Sequence, residues 1–227
     1  MKKTRCWSDD FIGHRVYSAT AGSNIGHNWK VTDTSSAGTP TYTPVDNATD
    51  SPNGAVAVAF DSQAEAQNVC LNHGDVLCFD IDNLIEVNFR VKLNQAELDA
   101  TTMFAIGLQG DRNDAIDSIA QHASFRVIGS DSTTAVVVES DDGTTDKDDV
   151  ATGATLADTY KDLKISFAAG KDDVRFFIDG EPVATSTTFD MSGYSGCLQP
   201  YAQIQKTSDA NTDGFTLCGV EVIHRSH

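Results

Sequence analysis

The chain has 227 residues, 40% of them hydrophobic, with 33 acidic against 16 basic side chains and a formal net charge of −17. That length suits one large domain, which buries enough surface to fold without disulfide or metal staples. A negative field of this size repels phosphate backbones and anionic headgroups, and so excludes nucleic acid and membrane surfaces as partners.

The chain opens Met1-Lys2-Lys3, as a secretion signal does, but Ser8, Asp9 and Asp10 arrive where the apolar segment belongs. No signal is read. Residues 1–8 are instead expected to form a short basic arm ahead of a single domain spanning 9–227, since neither a repeat nor a linker divides the chain. The sequon Asn47-Ala48-Thr49 lacks a secretory route and is read as chance. No run approaches 18 apolar residues, so no membrane span is expected.

Strand signals then follow one another. "WKVTDT" begins at Trp29 and "GAVAVAF" at Gly54. The cleanest is "LIEVNFRVKL" over 84–93, where Ile85, Val87, Phe89, Val91 and Leu93 alternate with Glu86, Asn88, Arg90 and Lys92. A period of two buries one face and wets the other. "MFAIGLQ" from Met103, "SFRVIGS" from Ser124, "TAVVVES" from Thr134 and "LKISF" over 163–167 continue the series. "VRFFID" from Val174, "YAQIQK" from Tyr201 and "FTLCGVEVIH" from Phe215 complete it. Only residues 94–100 and 113–121 look helical, each for a turn or two. Gly, Asp, Ser and Thr fill the connections, as turns require.

This pattern predicts an all-β fold, an antiparallel two-sheet jelly-roll sandwich with few short helical turns. Asp179-Gly180 closes a hairpin because Gly accepts the positive φ of the tight turn. Pro182 opens the return strand, which is therefore expected to pair on one side only.

The five cysteines, Cys6, Cys70, Cys78, Cys197 and Cys218, show no C-x-x-C spacing. They read as free buried thiols of a reducing compartment. A Cys70–Cys78 bridge stays open should the two flank a hairpin.

The hairpin over 173–185, the segment "YKDLKISFAAG" before it and the closing strand "GFTLCGVEVIH" together resemble the late strands of concanavalin A-like (laminin-G-like) jelly rolls. "DDFIG" over 9–13 is similar to their opening, where the first strand meets the last. The strings "DDFIG", "DTSSAGTPTYT" (33–43), "ESDDGTTDKDDVATG" (139–153) and "LQP" (198–200) also resemble jelly-roll virion structural proteins of tailed bacteriophages. That resemblance implies a capsid decoration protein, assembled in the host cytoplasm and bound to the capsid exterior. Its partners would be the major capsid protein and further copies of itself. The alternative is a lectin-like carbohydrate-binding module for surface attachment, dependent or not on calcium.

Catalytic patterns are missing from the sequence, and no enzymatic role is expected. Laminarinase-like members of the fold carry Glu-x-Asp-x-(x)-Glu on one strand. The nearest strings here, "DIDNLIE" over 80–86 and "EPVATS" over 181–186, lack that order. "SGYSGC" over 192–197 has Cys197 where a nucleophile elbow needs Gly. The histidines, His14, His27, His73, His122, His224 and His227, adjoin no nucleophile.

Two further sets of residues are candidates. Asp141, Asp142, Asp146 and Asp148, with Asp149, gather hard oxygen ligands of the kind calcium takes. Lectin-type jelly rolls hold calcium in such rim loops, which raises calcium as a cofactor. A solvated acidic hairpin loop is the other reading, and "DIDN" over 80–83 is a second, weaker string. For a glycan, Tyr194, Tyr201 and Trp7 are the aromatics expected to stack on sugar faces, whereas Trp29 is assigned to the core.

Overall fold

The computed structural model describes residues 3–11, 24–25, 29–45 and 54–226. The sequon, His14, His27 and His227 lie outside them. In chain order the strands are β1 (Thr4–Asp9), β2 (Asn24–Ile25), β3 (Trp29–Asp33), β4 (Thr41–Val45), β5 (Ala55–Ala59) and β6 (Gln67–Asn72). They continue with β7 (Phe79–Asp80), β8 (Leu84–Leu93), β9 (Thr102–Gln109), β10 (His122–Ile128), β11 (Ala135–Asp141) and β12 (Asp146–Thr155). The last are β13 (Lys161–Ser166), β14 (Arg175–Ile178), β15 (Glu181–Val183), β16 (Cys197–Lys206) and β17 (Gly214–Arg225).

Sheet 1 runs β15-β14-β13-β8-β17-β5-β4, with β1 also on β17. Sheet 2 runs β12-β11-β10-β9-β16-β6-β3-β2, with β7 also on β16. Among the described residues every strand pairing is antiparallel. The only helical elements among the described residues are the 3-10 turns Ile81–Asn83 and Ile116–Ser118. None of them is long and apolar enough to cross a membrane.

Alternation decides what lies between the sheets. Val87, Phe89, Val91 and Leu93 of β8, and Leu163 and Ile165 of β13, face Phe104, Ile106, Leu108 and Phe125 from sheet 2. Rings interlock across the gap: Phe104 and Phe215 stand 5.0 Å apart, and Phe125 meets Phe176 edge-on at 5.3 Å. Each such side chain contributes about 1.5–3 kcal/mol by leaving water. Trp29 is fully buried, as expected.

Local geometry follows residue type. Asp179 (φ 52) and Gly180 (φ 85) both sit in the left-handed region, the signature of a type I′ hairpin. The Asp179 carboxylate accepts from Lys161 Nζ at 2.6 Å and the Asp162 amide at 3.0 Å, fixing the turn. Pro182 lies on β15, the edge of sheet 1, with a partner on one side only.

Several expectations need correction. Residues 94–100 form bends, not a helix. Asn94 and Gln95 spend their side chains on Val58 and Gly214, and the Leu98 amide bonds Thr133, so the backbone is held by its neighbours rather than by a helix. Residues 4–8 of the expected arm are part of β1, which lies along β17 from Thr4↔Arg225 to Asp9↔Val220. The strand that meets the last one thus runs up to Asp9, the first residue of "DDFIG". Beyond it, the Ser226 amide reaches the Lys3 carbonyl at 2.7 Å. The thiols are free, but Cys6 and Cys78 are exposed and Cys197 half-buried; only Cys70 and Cys218 are buried. Cys70 and Cys78 form no bridge, and Cys78 Sγ lies 3.3 Å from His73 Nδ1 instead.

Candidate functional site

The outward face of a half-wet sheet should be exposed, yet in β9, β10 and β16 nearly every residue is buried. The cover is the loop 111–120. Its base is closed by the Gly110 amide donating to the Gln121 carbonyl at 2.8 Å, which makes it an Ω-loop. Ile116 and Ile119 press from it onto Cys70, Ala105 and Tyr201.

Polar side chains of the sheet stitch the loop down. Gln203 Nε2 donates to the Asn113 carbonyl at 3.1 Å, Gln199 Nε2 to the Gly110 carbonyl at 2.9 Å, and the Ile116 amide to Gln205 Oε1 at 3.0 Å. Arg126 donates to Asp117 at 2.9 Å, and His122 Nδ1 to the Ile119 carbonyl at 2.8 Å.

Strand register places a polar row beneath the loop. Tyr201 pairs with Gly107, Gly107 with Ser124, and Ser124 with Glu139. Asn72 follows Leu71, the partner of Ala202, and so stands beside Tyr201. The Tyr201 and Ser124 hydroxyls lie on either side of Gly107, and neither has a hydrogen-bond partner among the described residues. Asn72 Nδ2, both Gln109 amide atoms and Gln203 Oε1 are buried with no hydrogen-bond partner among the described residues. A buried polar atom left so costs about 1–3 kcal/mol. Burial also pushes the Tyr201 phenol well above its ordinary range.

Glu139 ends the row and is itself buried. Its carboxylate meets His122 Nε2 at 2.8 Å and pairs with Arg126. Outward from it, Asp146 and Asp148 bring carboxylate oxygens within 4.8 Å of one another and of Glu139. Partial loss of water contact first, then the charges of Asp148, Asp141 and Glu139, raises the Asp146 carboxyl above the usual range although the residue is exposed. Burial and Glu139 do the same to Asp149.

Beside the Ω-loop, a groove of about 470 Å³ runs along the same sheet face. Thr34, Ala66, Asn68, Asp114, Gln205 and Thr207 line it. Amide and hydroxyl side chains thus stand along a wall whose surface is otherwise largely apolar.

The residues expected to form a site fall in separate places. Tyr201 is fully buried under the loop, so it offers no open stacking surface in this conformation. Trp7 is half-buried against His73 at 5.1 Å and Phe79 at 5.8 Å. Tyr194 is half-buried, its hydroxyl donating to the Cys197 carbonyl at 2.8 Å.

The acidic string splits similarly. Asp142 accepts from the Thr144 and Thr145 amides and from the Gly193 amide at 2.7 Å, so it builds a turn rather than offering a ligand oxygen. Burial opposes its ionisation, but these bonds outweigh it and hold the carboxyl below the usual range. Asp141 accepts from the Gly143 amide at 2.6 Å. Only Asp146 and Asp148 of the four converge, and Glu139, missed in sequence, joins them. "DIDN" is a 3-10 turn capped by Asp80, with Asp82 paired to Lys171 at 2.8 Å. Glu86 and Glu181 lie on β8 and β15, with β13 and β14 between them.

No protein-family model matches the sequence, and no curated protein does. Solved structures do match. The carbohydrate recognition domain of Emp47p aligns with TM-score 0.60 at 11% identity, over 97% of this chain and 95% of that one. The fold is concanavalin A-like. The Crh5 transglycosylase in complex with NAG aligns with TM-score 0.55 at 17% identity, covering 96% of this chain and 83% of its own. A carbohydrate esterase from the Shiga toxin-encoding bacteriophage phi24B aligns with TM-score 0.52 at 14% identity, covering 90% and 95%.

Proposed function

We propose that the protein is a carbohydrate-binding module that takes an oligosaccharide along the outer face of sheet 2, in the groove beside the Ω-loop. The observation that carries this is the groove wall of Thr34, Asn68, Gln205 and Thr207 on a rigid sheet. Sugar hydroxyls both donate and accept, and the Gln205 Nε2 and the Thr207 hydroxyl of the wall answer both senses, while Thr34 is held by Asp114 and Asn68 by Asp114 and Gln203. Rigid, preorganised walls lower the cost of binding. The structures of like fold include a carbohydrate recognition domain and glycan-active enzymes, which supports the same reading.

The test is a glycan array followed by calorimetric titration of the hits. Ala66 is exposed on the groove wall, so Ala66→Trp fills the groove without touching the core. It is expected to weaken binding at least about tenfold with stability unchanged. Full affinity in that variant would overturn the reading. Calcium dependence is read from the same titration in chelator. An ion at Glu139, Asp146 and Asp148 would find three carboxylates toward the roughly six to eight oxygens it takes.

A second reading places this module on a bacteriophage particle, contacting the major capsid protein and copies of itself on the capsid exterior. Its support is the likeness of the strings over 9–13, 33–43, 139–153 and 198–200 to virion proteins. Immunogold labelling of banded particles decides it. Regular label over heads supports decoration, label on tails favours attachment through glycans, and bare particles sink the virion reading.

A further inference from the structure

The Ω-loop and the surface under it disagree chemically. The loop contributes Ile116 and Ile119, which are 0% and 2% exposed. The floor they cover holds the Tyr201 and Ser124 hydroxyls, Asn72 Nδ2, Gln109 Oε1 and Gln203 Oε1, none of which finds a bond in the loop. A protein optimised for the closed form alone would place apolar side chains beneath an apolar plug. These atoms are not scattered faults. They belong to adjacent strands and share one face, since Tyr201, Gly107 and Ser124 stand in one register line and Gln203 and Gln109 flank it.

We propose that this row is a second, covered binding subsite, continuous with the groove and opened when the loop lifts, and that its ligand is a neutral, hydroxyl-rich sugar unit. The inference rests on the carbohydrate-binding reading and deepens it. Neutrality follows from the charges present: Glu139 is already paired with Arg126, which also holds Asp117. Mixed polarity follows from the orphans, which with Gln109 Nε2 are two amide donors, two amide acceptors and two hydroxyls that serve in either sense. Gly107 leaves a bare strip in the floor, where a Cβ would collide with the Ala123 carbonyl, and the Tyr201 ring beside it is a stacking platform. Asp114 and Ala115 belong both to the loop and to the groove wall, so a sugar chain in the groove touches the element that must move.

The experiment uses the whole chain and a panel of neutral gluco-, manno- and N-acetylglucosamine hexasaccharides. Tyr201→Phe and Ser124→Ala remove hydroxyls that bond no described residue, so the folded state is expected to keep its Tm. Each is expected to lower affinity about tenfold, while Ala66→Trp reports on the groove separately. Hydrogen exchange on the unaltered protein gives a readout independent of any variant. Saturating hexasaccharide should speed exchange of the Arg112, Ala115 and Ile116 amides, which the closed loop holds in hydrogen bonds. Binding that fails in Ala66→Trp but survives in Tyr201→Phe and Ser124→Ala, with loop exchange unchanged or slowed, overturns the covered subsite and leaves the groove standing. Absence of binding by the unaltered protein to every hexasaccharide overturns both.

Discussion

Lys206 is 2% exposed, and its ammonium donates to the carbonyls of Asp61, Gln63 and Asn211 at 3.0, 2.8 and 2.9 Å. One charge thus holds two loops against the end of β16. Lys206→Met keeps the apolar stem but strands three carbonyls, and urea unfolding should show a loss of about 3 kcal/mol. His73 acts by staying neutral. Burial among Trp7, Trp29 and Phe79, only partly opposed by Asp9, pulls its imidazole down to about 4. The unfolded chain takes up the same proton near pH 6.5. The neutral ring therefore stabilises the fold fully above about pH 6.5, and that stability is lost as pH falls toward 4. With allowance for partial solvent screening the loss is on the order of 1–2 kcal/mol. The stability difference between the unaltered protein and His73→Phe should shrink over that window, and a constant difference would refute the assignment. Neither role was legible beforehand. A lysine ending "YAQIQK" reads as exposed, and the rings around His73 come from β1, β3 and β7.

Among the elements, the β11–β12 hairpin shows most clearly what a side chain can do besides bind. Asp142 gathers the amides of its own turn and also the Gly193 amide, tying two loops together. Asp142→Ala should cost about 1–2 kcal/mol and speed exchange of the Gly193 amide. Unchanged exchange there would show that the tie carries no strain. Strands with one apolar face, such as β5, β8 and β13, were legible because burial follows their alternation. β12 was not, since its first four residues, Asp146 to Asp149, are exposed or nearly so and carry no apolar period. Its charges and the bulge at Asp149 (φ 44) suit an edge strand that must not pair with another molecule. Glu139 escaped notice for a different reason. Its meeting with Asp146 and Asp148 depends on a register shift between β11 and β12 that no spacing in the sequence encodes.

For the whole molecule, a net charge of −17 means that the folded state gathers repulsion the extended chain avoids. Raising ionic strength from about 0.01 M to about 0.15 M shortens the screening length from roughly 30 Å to about 8 Å. The Tm should therefore rise across that range, and a fall would mean that attractive pairs outweigh the repulsion. The two-sheet architecture was legible as a whole because it needs only enough one-faced strands and turns. The Ω-loop was not, because the same Ile116 and Ile119 read as one side of a short helix until the sheet beneath them is in place.

The Lys3 carbonyl and the Ser226 amide share a hydrogen bond, with β1 and β17 side by side behind them. Residues 3 and 226 therefore lie one hydrogen bond apart, and a few residues of linker would join them, with the exposed Asp179-Gly180 turn, on the edge of the other side of sheet 1, as a natural place to open the chain instead. A cargo carried at that turn would stand across the sheet from the point where Lys3 and Ser226 meet.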